Sequence, residues 1–103
     1  MSDERVPPED CSSMEEVRDG VDRLDREIVA LLAERFRYMD AAARIKPDRE
    51  AVRDEWRKAD VLAKAEAAAV QAGAPAERIA LLYESLVEAC IAYEFERFDR
   101  TRG

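Results

Sequence analysis

Two cations on one face of a predicted helix have the side-chain types and spacing needed to bind a small anionic ligand. Arg35 occupies an apolar position between Leu31 and Tyr38, where burying an unpaired guanidinium costs several kcal/mol, so we expect an anion to meet it. Lys46 follows eleven residues later, within about 20° of the same helix face and about 16 Å further along. The alternative is that Arg35 extends to solvent or pairs with a glutamate, while Lys46 complements the helix dipole.

Glu94 is a candidate site residue because it is the only charged side chain in an apolar stripe. That stripe advances in steps of four, four, three and four through Tyr83, Val87, Ile91, Glu94 and Phe98. A buried carboxyl group either pairs with a cation or is held protonated, and both states are common in functional sites. The structural alternative is a salt bridge to Arg35 that satisfies both charges.

Two further arginines have weaker claims to a site. Arg49, Arg53 and Arg57 are spaced four residues apart and form one basic ridge if their segment is helical, although such a ridge is usually solvent-exposed. Arg18 lies seventeen residues before Arg35, about 25 Å away along a helix, too far to reach the same ligand within one chain. In an antiparallel dimer it would enter the partner's site, and otherwise it is an ordinary surface residue paired with a nearby aspartate.

Three predicted helices carry these residues, and the first is unusually long. The first helix runs from about 13 to 46, from an S-x-x-E capping box at Ser13 to Glu16 up to Pro47, and residues 1–11 form an irregular tail before it. It would be about 50 Å long, against a radius of gyration of about 13 Å for a compact domain of this size. The sequence therefore predicts an all-α single domain over 1–103, paired as an intertwined antiparallel homodimer.

The second and third helices are shorter. The second lies within about 50 to 72 and ends at Gly73, and "PDREAVRD" before it is interpreted as a connection rather than helix. Its expected inner face carries Trp56, Ala59, Leu62 and Ala63. The third helix starts near Pro75 and runs to about 99.

Composition excludes several classes of function. With a net charge of −7, neither nucleic acid nor an anionic membrane is an expected partner, because both require a dominant basic face. The chain has no histidine, no Gly-rich phosphate loop and no acid cluster with metal spacing, so we expect no metal and no cofactor. Cys11 and Cys90 are expected to be free thiols. Since no apolar span or signal sequence appears, we expect a cytoplasmic protein.

Three segments of the sequence together match a known family: "PEDC" at 8–11, "VRDGVDRLDREIVALLAERFRYMDAAARIK" at 17–46 and "TRG" at 101–103. With these segments the sequence resembles the all-helical chorismate mutase family, and within it the isochorismate-pyruvate lyase branch of salicylate biosynthesis. The resemblance runs from Pro8 to the C-terminus and is weakest between about 47 and 75.

This resemblance implies a role for each candidate residue. Arg35 matches an arginine that grips a substrate carboxylate, and Lys46 a lysine that reaches the ether oxygen and a carboxylate. Arg57 matches a further arginine of the pocket, and Arg18 the arginine donated by the other subunit of the homodimer. Glu94 falls where many members have a glutamine that donates a hydrogen bond to the ether oxygen, so its presence is a departure from the common pattern.

The implied activity is the pericyclic Claisen rearrangement of chorismate to prephenate, a small dicarboxylate reaction catalysed by conformation and electrostatics. One alternative is isochorismate-pyruvate lyase activity, which yields salicylate and pyruvate, although residues 47–57, expected to close over the substrate, depart from that branch. Another alternative is 4-amino-4-deoxychorismate mutase activity, whose amino substituent suits Glu94. The non-enzymatic alternative is a helical dimerisation module in which Arg35 and Glu94 form a structural ion pair.

Overall fold

The computed structural model describes residues 5–102, which are mainly α-helical. The helices are α1 (Met14–Ile45), α2 (Glu55–Ala72) and α3 (Ala76–Arg102), with short 3₁₀ turns at Pro8–Asp10 and Arg49–Ala51. No strand occurs in the described range, so the prediction of an all-α chain with a long first helix is confirmed. Residues 1–4 of the predicted tail and the final Gly103 lie outside that range. None of the described helices is long and apolar enough to cross a membrane.

The chain divides within α1 into a first unit that ends at Arg37 and a second that begins at Tyr38. In the first unit, α1 starts with hydrogen bonds to side chains. Ser13 Oγ accepts from the Glu16 N–H at 3.2 Å, as the predicted capping box requires. The Glu16 carboxylate, however, accepts from the N–H of Ser12 at 2.8 Å, one residue earlier than in the standard motif. The Ser12 N–H is the main reason that the pKa of Glu16 lies below its usual value.

The predicted helix ends in the second unit are confirmed to within a few residues. Helix α1 stops at Ile45, two residues before Pro47, and α2 stops before Gly73, whose φ of 73° is the left-handed conformation that favours glycine. The residues between α1 and α2 form a connection, as interpreted from the sequence. Asp54 ends this connection by capping α2, because its Oδ1 accepts from the Arg57 N–H at 3.0 Å.

The connection packs against the ends of α1 and α3 and forms the core of the second unit there. Ala43 of α1, Val52 of the connection and Phe98 of α3 are buried against one another. A hydrogen bond also joins α1 and α3, in which Tyr93 Oη donates to Asp40 Oδ1 at 2.7 Å. That hydrogen bond is the main reason that the pKa of Tyr93 is raised. This hydrogen bond therefore joins the last two turns of α1 to α3.

Helix α2 packs against α3, but not with the predicted face. Trp56 is 75% exposed, and Ala59 and Ala63 are also exposed, so the predicted inner face was wrong for all but the half-buried Leu62. The residues turned inward are Lys58, Val61, Leu62, Ala65 and Ala69. Alanine-rich α2 has a weak apolar periodicity, and the Lys58 ammonium, 2.7 Å from the Glu84 carboxylate on α3, favours the observed rotation.

The apolar seam predicted along α1 is exposed in the single chain. Its exposed members are Val17, Val21, Leu24, Ile28, Leu31, Tyr38 and Ile45. A row of large apolar side chains in contact with water is typical of a surface that another protein covers.

Candidate functional site

The second unit brings together two of the residues singled out by sequence. Lys46 follows the last residue of α1, and its Nζ lies 2.7 Å from Glu94 Oε2 on α3. Glu94 is 3% exposed, which confirms the prediction that this charged member of the stripe is buried. The Lys46 side chain is 28% exposed, so part of it reaches solvent beside the buried carboxyl group. A cation in this position can meet an anionic ligand from outside while its charge is balanced from within.

The ammonium has a second partner in the connection. Lys46 Nζ donates to the carbonyl oxygen of Val52 at 3.2 Å, and Val52 itself is buried in the core. Although Glu94 Oε2 is close to Nζ, it receives no hydrogen bond of acceptable geometry from the described residues. The negative charge at this oxygen is therefore paired with the Lys46 ammonium, although no described residue donates a hydrogen bond to it.

Ion pairs join the connection between α1 and α2 to helix α3. Arg49 Nε lies 2.9 Å from Asp99 Oδ1, and its guanidinium lies over the Phe95 ring, 4.5 Å from the centroid. Arg53 Nη2 lies 2.6 Å from Glu88 Oε1. Hydrogen bonds from Arg53 first, and then from a lysine, lower the pKa of Glu88 to about 2. The region after Pro47 is thus joined to α3 by ion pairs.

Arg57 forms an ion pair within its own helix. Its Nη1 lies 2.8 Å from Asp60 Oδ2 on the same helix, and its side chain is 59% exposed. Because residues 52–54 are not helical, Arg49, Arg53 and Arg57 do not form one continuous ridge.

The remaining two candidates lie on α1 in the first unit. Arg35 is half-buried and Arg18 is exposed near the start of the helix. The roles of Arg18, Arg35 and Arg57 in a site stay predictions. No group of three metal-ligating side chains occurs within residues 5–102.

The structure adds Arg102, a residue that sequence reasoning passed over. Its Nη2 lies within 2.8 to 3.1 Å of three carbonyl oxygens at the end of α1, including that of Lys46. A signal was present, because Pro47 has no N–H to donate back to α1 and the helix end therefore needs donors from elsewhere. Nothing in the local sequence indicated that a residue 56 positions away supplies them.

Comparison with known proteins places this geometry in context. The family model described as chorismate mutase type II matches residues 17–95. The chain is also 31% identical, over 96 residues, to the isochorismate pyruvate lyase of Pseudomonas aeruginosa. That match covers 93% of this chain and 95% of the Pseudomonas protein.

Proposed function

Because this chain belongs to the chorismate mutase type II family, we propose that it rearranges chorismate to prephenate. The observation that carries the proposal is the ion pair between the ammonium of the half-buried Lys46 and the buried Glu94 carboxyl group at the end of α1. The family resemblance gives these two positions the task of contacting the ether oxygen of the substrate. The chain is accordingly an enzyme of this family, with the specific reaction as our proposal.

The chemistry needs only what this chain offers. A pericyclic rearrangement requires no nucleophile, metal or cofactor, so a sequence without histidine lacks nothing essential. Catalysis comes from holding a flexible dicarboxylate in its reactive conformer and from placing positive charge where negative charge builds on the departing oxygen. Lys46 supplies that charge, since its ammonium is held by Val52 O and Glu94 before the substrate arrives. Glu94, when protonated, donates a hydrogen bond to the same oxygen.

The rest of the site is proposed to come from α1 and from a second copy of the chain. Arg35 would bind a substrate carboxylate, and Arg57 would join the pocket after leaving its pairing with Asp60. Arg18 would be donated across the interface of an intertwined antiparallel homodimer. The exposed apolar seam of α1 supports this assembly, because a second copy would bury it.

Two related activities each have one observation in their favour. The 31% identity to the isochorismate pyruvate lyase of Pseudomonas aeruginosa supports the elimination of pyruvate from isochorismate, with salicylate as the other product. Glu94 Oε2 accepts no hydrogen bond from the described residues, which supports 4-amino-4-deoxychorismate as a substrate, because its amino group would donate one. The cytoplasmic location expected from the sequence stays a prediction.

One experiment separates these activities. Purified protein is incubated separately with chorismate, isochorismate and 4-amino-4-deoxychorismate, and the products are identified by mass spectrometry. We expect prephenate from chorismate, and we expect Lys46→Ala to reduce turnover about 100-fold to 1000-fold, as when one charge-stabilising donor is lost. Lys64→Ala is the matched control, because Lys64 is an exposed lysine that pairs with Asp60 on α2.

Two results would overturn the proposal. The first is a wild-type protein that forms no prephenate from chorismate; if it also converts neither of the other two compounds, the non-enzymatic alternative is favoured. The second is a Lys46→Ala variant that turns over chorismate as fast as the Lys64→Ala variant.

A further inference from the structure

The end of α1 lacks the hydrogen-bond donors that a continuing helix would provide. In an α-helix the carbonyl of Ala43 would accept from the N–H of residue 47, but Pro47 has no N–H. The chain also leaves the helix after Ile45, so the next carbonyls lose their partners as well. The Lys46 N–H still donates to Ala42 O at 2.9 Å, so this residue closes the helix.

Arg102, on the last turn of α3, supplies the missing donors. Its Nη2 lies 2.9 Å from the carbonyl oxygen of Ala43, 3.1 Å from that of Arg44 and 2.8 Å from that of Lys46. A guanidinium is well suited to this position, because it carries several N–H groups and its positive charge complements the negative end of the helix dipole.

The Arg102 guanidinium also contacts an aromatic ring. Its Cζ lies 4.1 Å from the centroid of the Phe98 ring, and Phe98 is buried in the core with Ala43 and Val52. The guanidinium is therefore held between an aromatic face and the carbonyls of α1.

Lys46 is consequently fixed at both ends. Its carbonyl oxygen is bound by Arg102, while its ammonium is bound by Val52 O and lies beside Glu94. A lysine has a long, flexible stem, and a shift of about 1 Å at a reacting centre can cost about 100-fold in rate.

We propose that Arg102 is a positioning residue, which holds the end of α1 so that the Lys46 ammonium stands where the substrate oxygen arrives. This inference rests on the function proposed above. Arg102 does not itself contact the substrate, and it acts through the backbone of residues 43–46.

The first test is kinetic and uses chorismate as the probe. We expect Arg102→Ala to lower kcat about 10-fold to 100-fold with less than a threefold change in KM. Arg102→Lys should recover only part of the loss, because an ammonium has no planar face to lie against the Phe98 ring. Arg100→Ala is the matched control, since Arg100 is an exposed arginine on the same turn of α3. In a Lys46→Ala background, Arg102→Ala should lower kcat by less than twofold, because the residue through which it acts is gone.

The second test does not depend on activity. Hydrogen exchange of the Lys46 amide, measured by NMR, should be at least tenfold faster in Arg102→Lys than in Arg100→Ala, with α2 amides unchanged. This comparison still applies if Arg102→Ala does not fold, because Arg102→Lys keeps the positive charge.

The outcomes separate this inference from the proposed function. If the wild-type protein converts none of the three compounds, the proposed function fails and the exchange experiment alone decides whether Arg102 holds Lys46. The inference is overturned if the Lys46 amide exchanges equally in the Arg102 and Arg100 variants. It is also overturned if Arg102→Ala lowers kcat by the same factor with and without Lys46.

Discussion

Lys46 Nζ lies 2.7 Å from Glu94 Oε2, and this ion pair joins the end of α1 to α3. Of the two side chains, that of Glu94 is the buried one. Glu94 is 3% exposed, whereas Lys46 still reaches solvent. A carboxylate buried in this way depends on its cation, so the pair links the stability of the second unit to the residue proposed to act on the substrate.

Replacing Lys46 should therefore destabilise the fold as well as reduce activity. Lys46→Ala leaves Glu94 buried without a cation, and we expect a loss of about 3 kcal/mol in the free energy of unfolding. The value is at the low end for a buried pair because the lysine side chain is 28% exposed. Urea denaturation measures it, with Lys64→Ala as control. The Lys46→Ala, Glu94→Gln double variant should lose less, and an equal loss would contradict this account.

The pH dependence of turnover should reveal the role of Glu94. A carboxyl group donates a hydrogen bond only when it is protonated, so if Glu94 acts as a donor, turnover by the wild-type protein should fall as pH rises. A glutamine amide donates at every pH, so Glu94→Gln should flatten that decline. The measurement is kcat as a function of pH for both proteins. Identical profiles would remove Glu94 from the mechanism.

Arg35 distinguishes an enzyme from a structural module. If its main task is to bind a substrate carboxylate, Arg35→Ala should keep its helical circular dichroism and lose kcat/KM by about 100-fold or more. If Arg35 instead forms a structural ion pair, the variant should lose about 3 to 5 kcal/mol of stability. Arg37→Ala is a suitable control, because Arg37 is an exposed arginine two residues further along α1.

The proposed homodimer depends on the seam of α1. Ile28 lies on the seam and is 49% exposed in the single chain, whereas its neighbour Val29 lies off the seam and is 62% exposed. Ile28→Glu should convert a dimer to a monomer in analytical ultracentrifugation and abolish activity, because a charge would be buried at the interface. Val29→Glu should do neither. A wild-type protein that sediments as a monomer while active would exclude the dimer.

Low pH should weaken the ion pairs that Glu88 of α3 makes with Arg53 and with Lys58 of α2. The pKa of Glu88 is lowered to about 2 from its ordinary 4.5, first by hydrogen bonds from Arg53 and then by those from Lys58. The unfolded chain therefore takes up this proton at higher pH than the folded chain, so the stabilisation is complete above about 4.5 and is lost as pH falls toward 2. Thermal melting between pH 5 and pH 2 should show a smaller loss of Tm for Glu88→Gln than for the wild type. Glu66→Gln, an exposed change on α2, should follow the wild type.

Much of the fold could be predicted because its signals are local. Pro47 and Gly73 end helices through restrictions on their own backbone, and Ser13 starts one through a bond to a residue three positions away. The burial of Glu94 followed from its place in a helical stripe, which depends only on spacing along one helix.

Packing between helices determined the rest. Spacing suggested that Lys46 takes part in a site, but its pairing with Glu94, 48 positions away in the sequence, depends on how α1 and α3 meet. The rotation of α2, which leaves Trp56 in solvent, depends on ion pairs with α3 that an alanine-rich pattern does not specify. Arg102 is the clearest case. That the end of α1 needs a hydrogen-bond donor could be inferred from Pro47. The donor itself comes from the far end of the chain, because only tertiary packing brings the end of α3 to the end of α1.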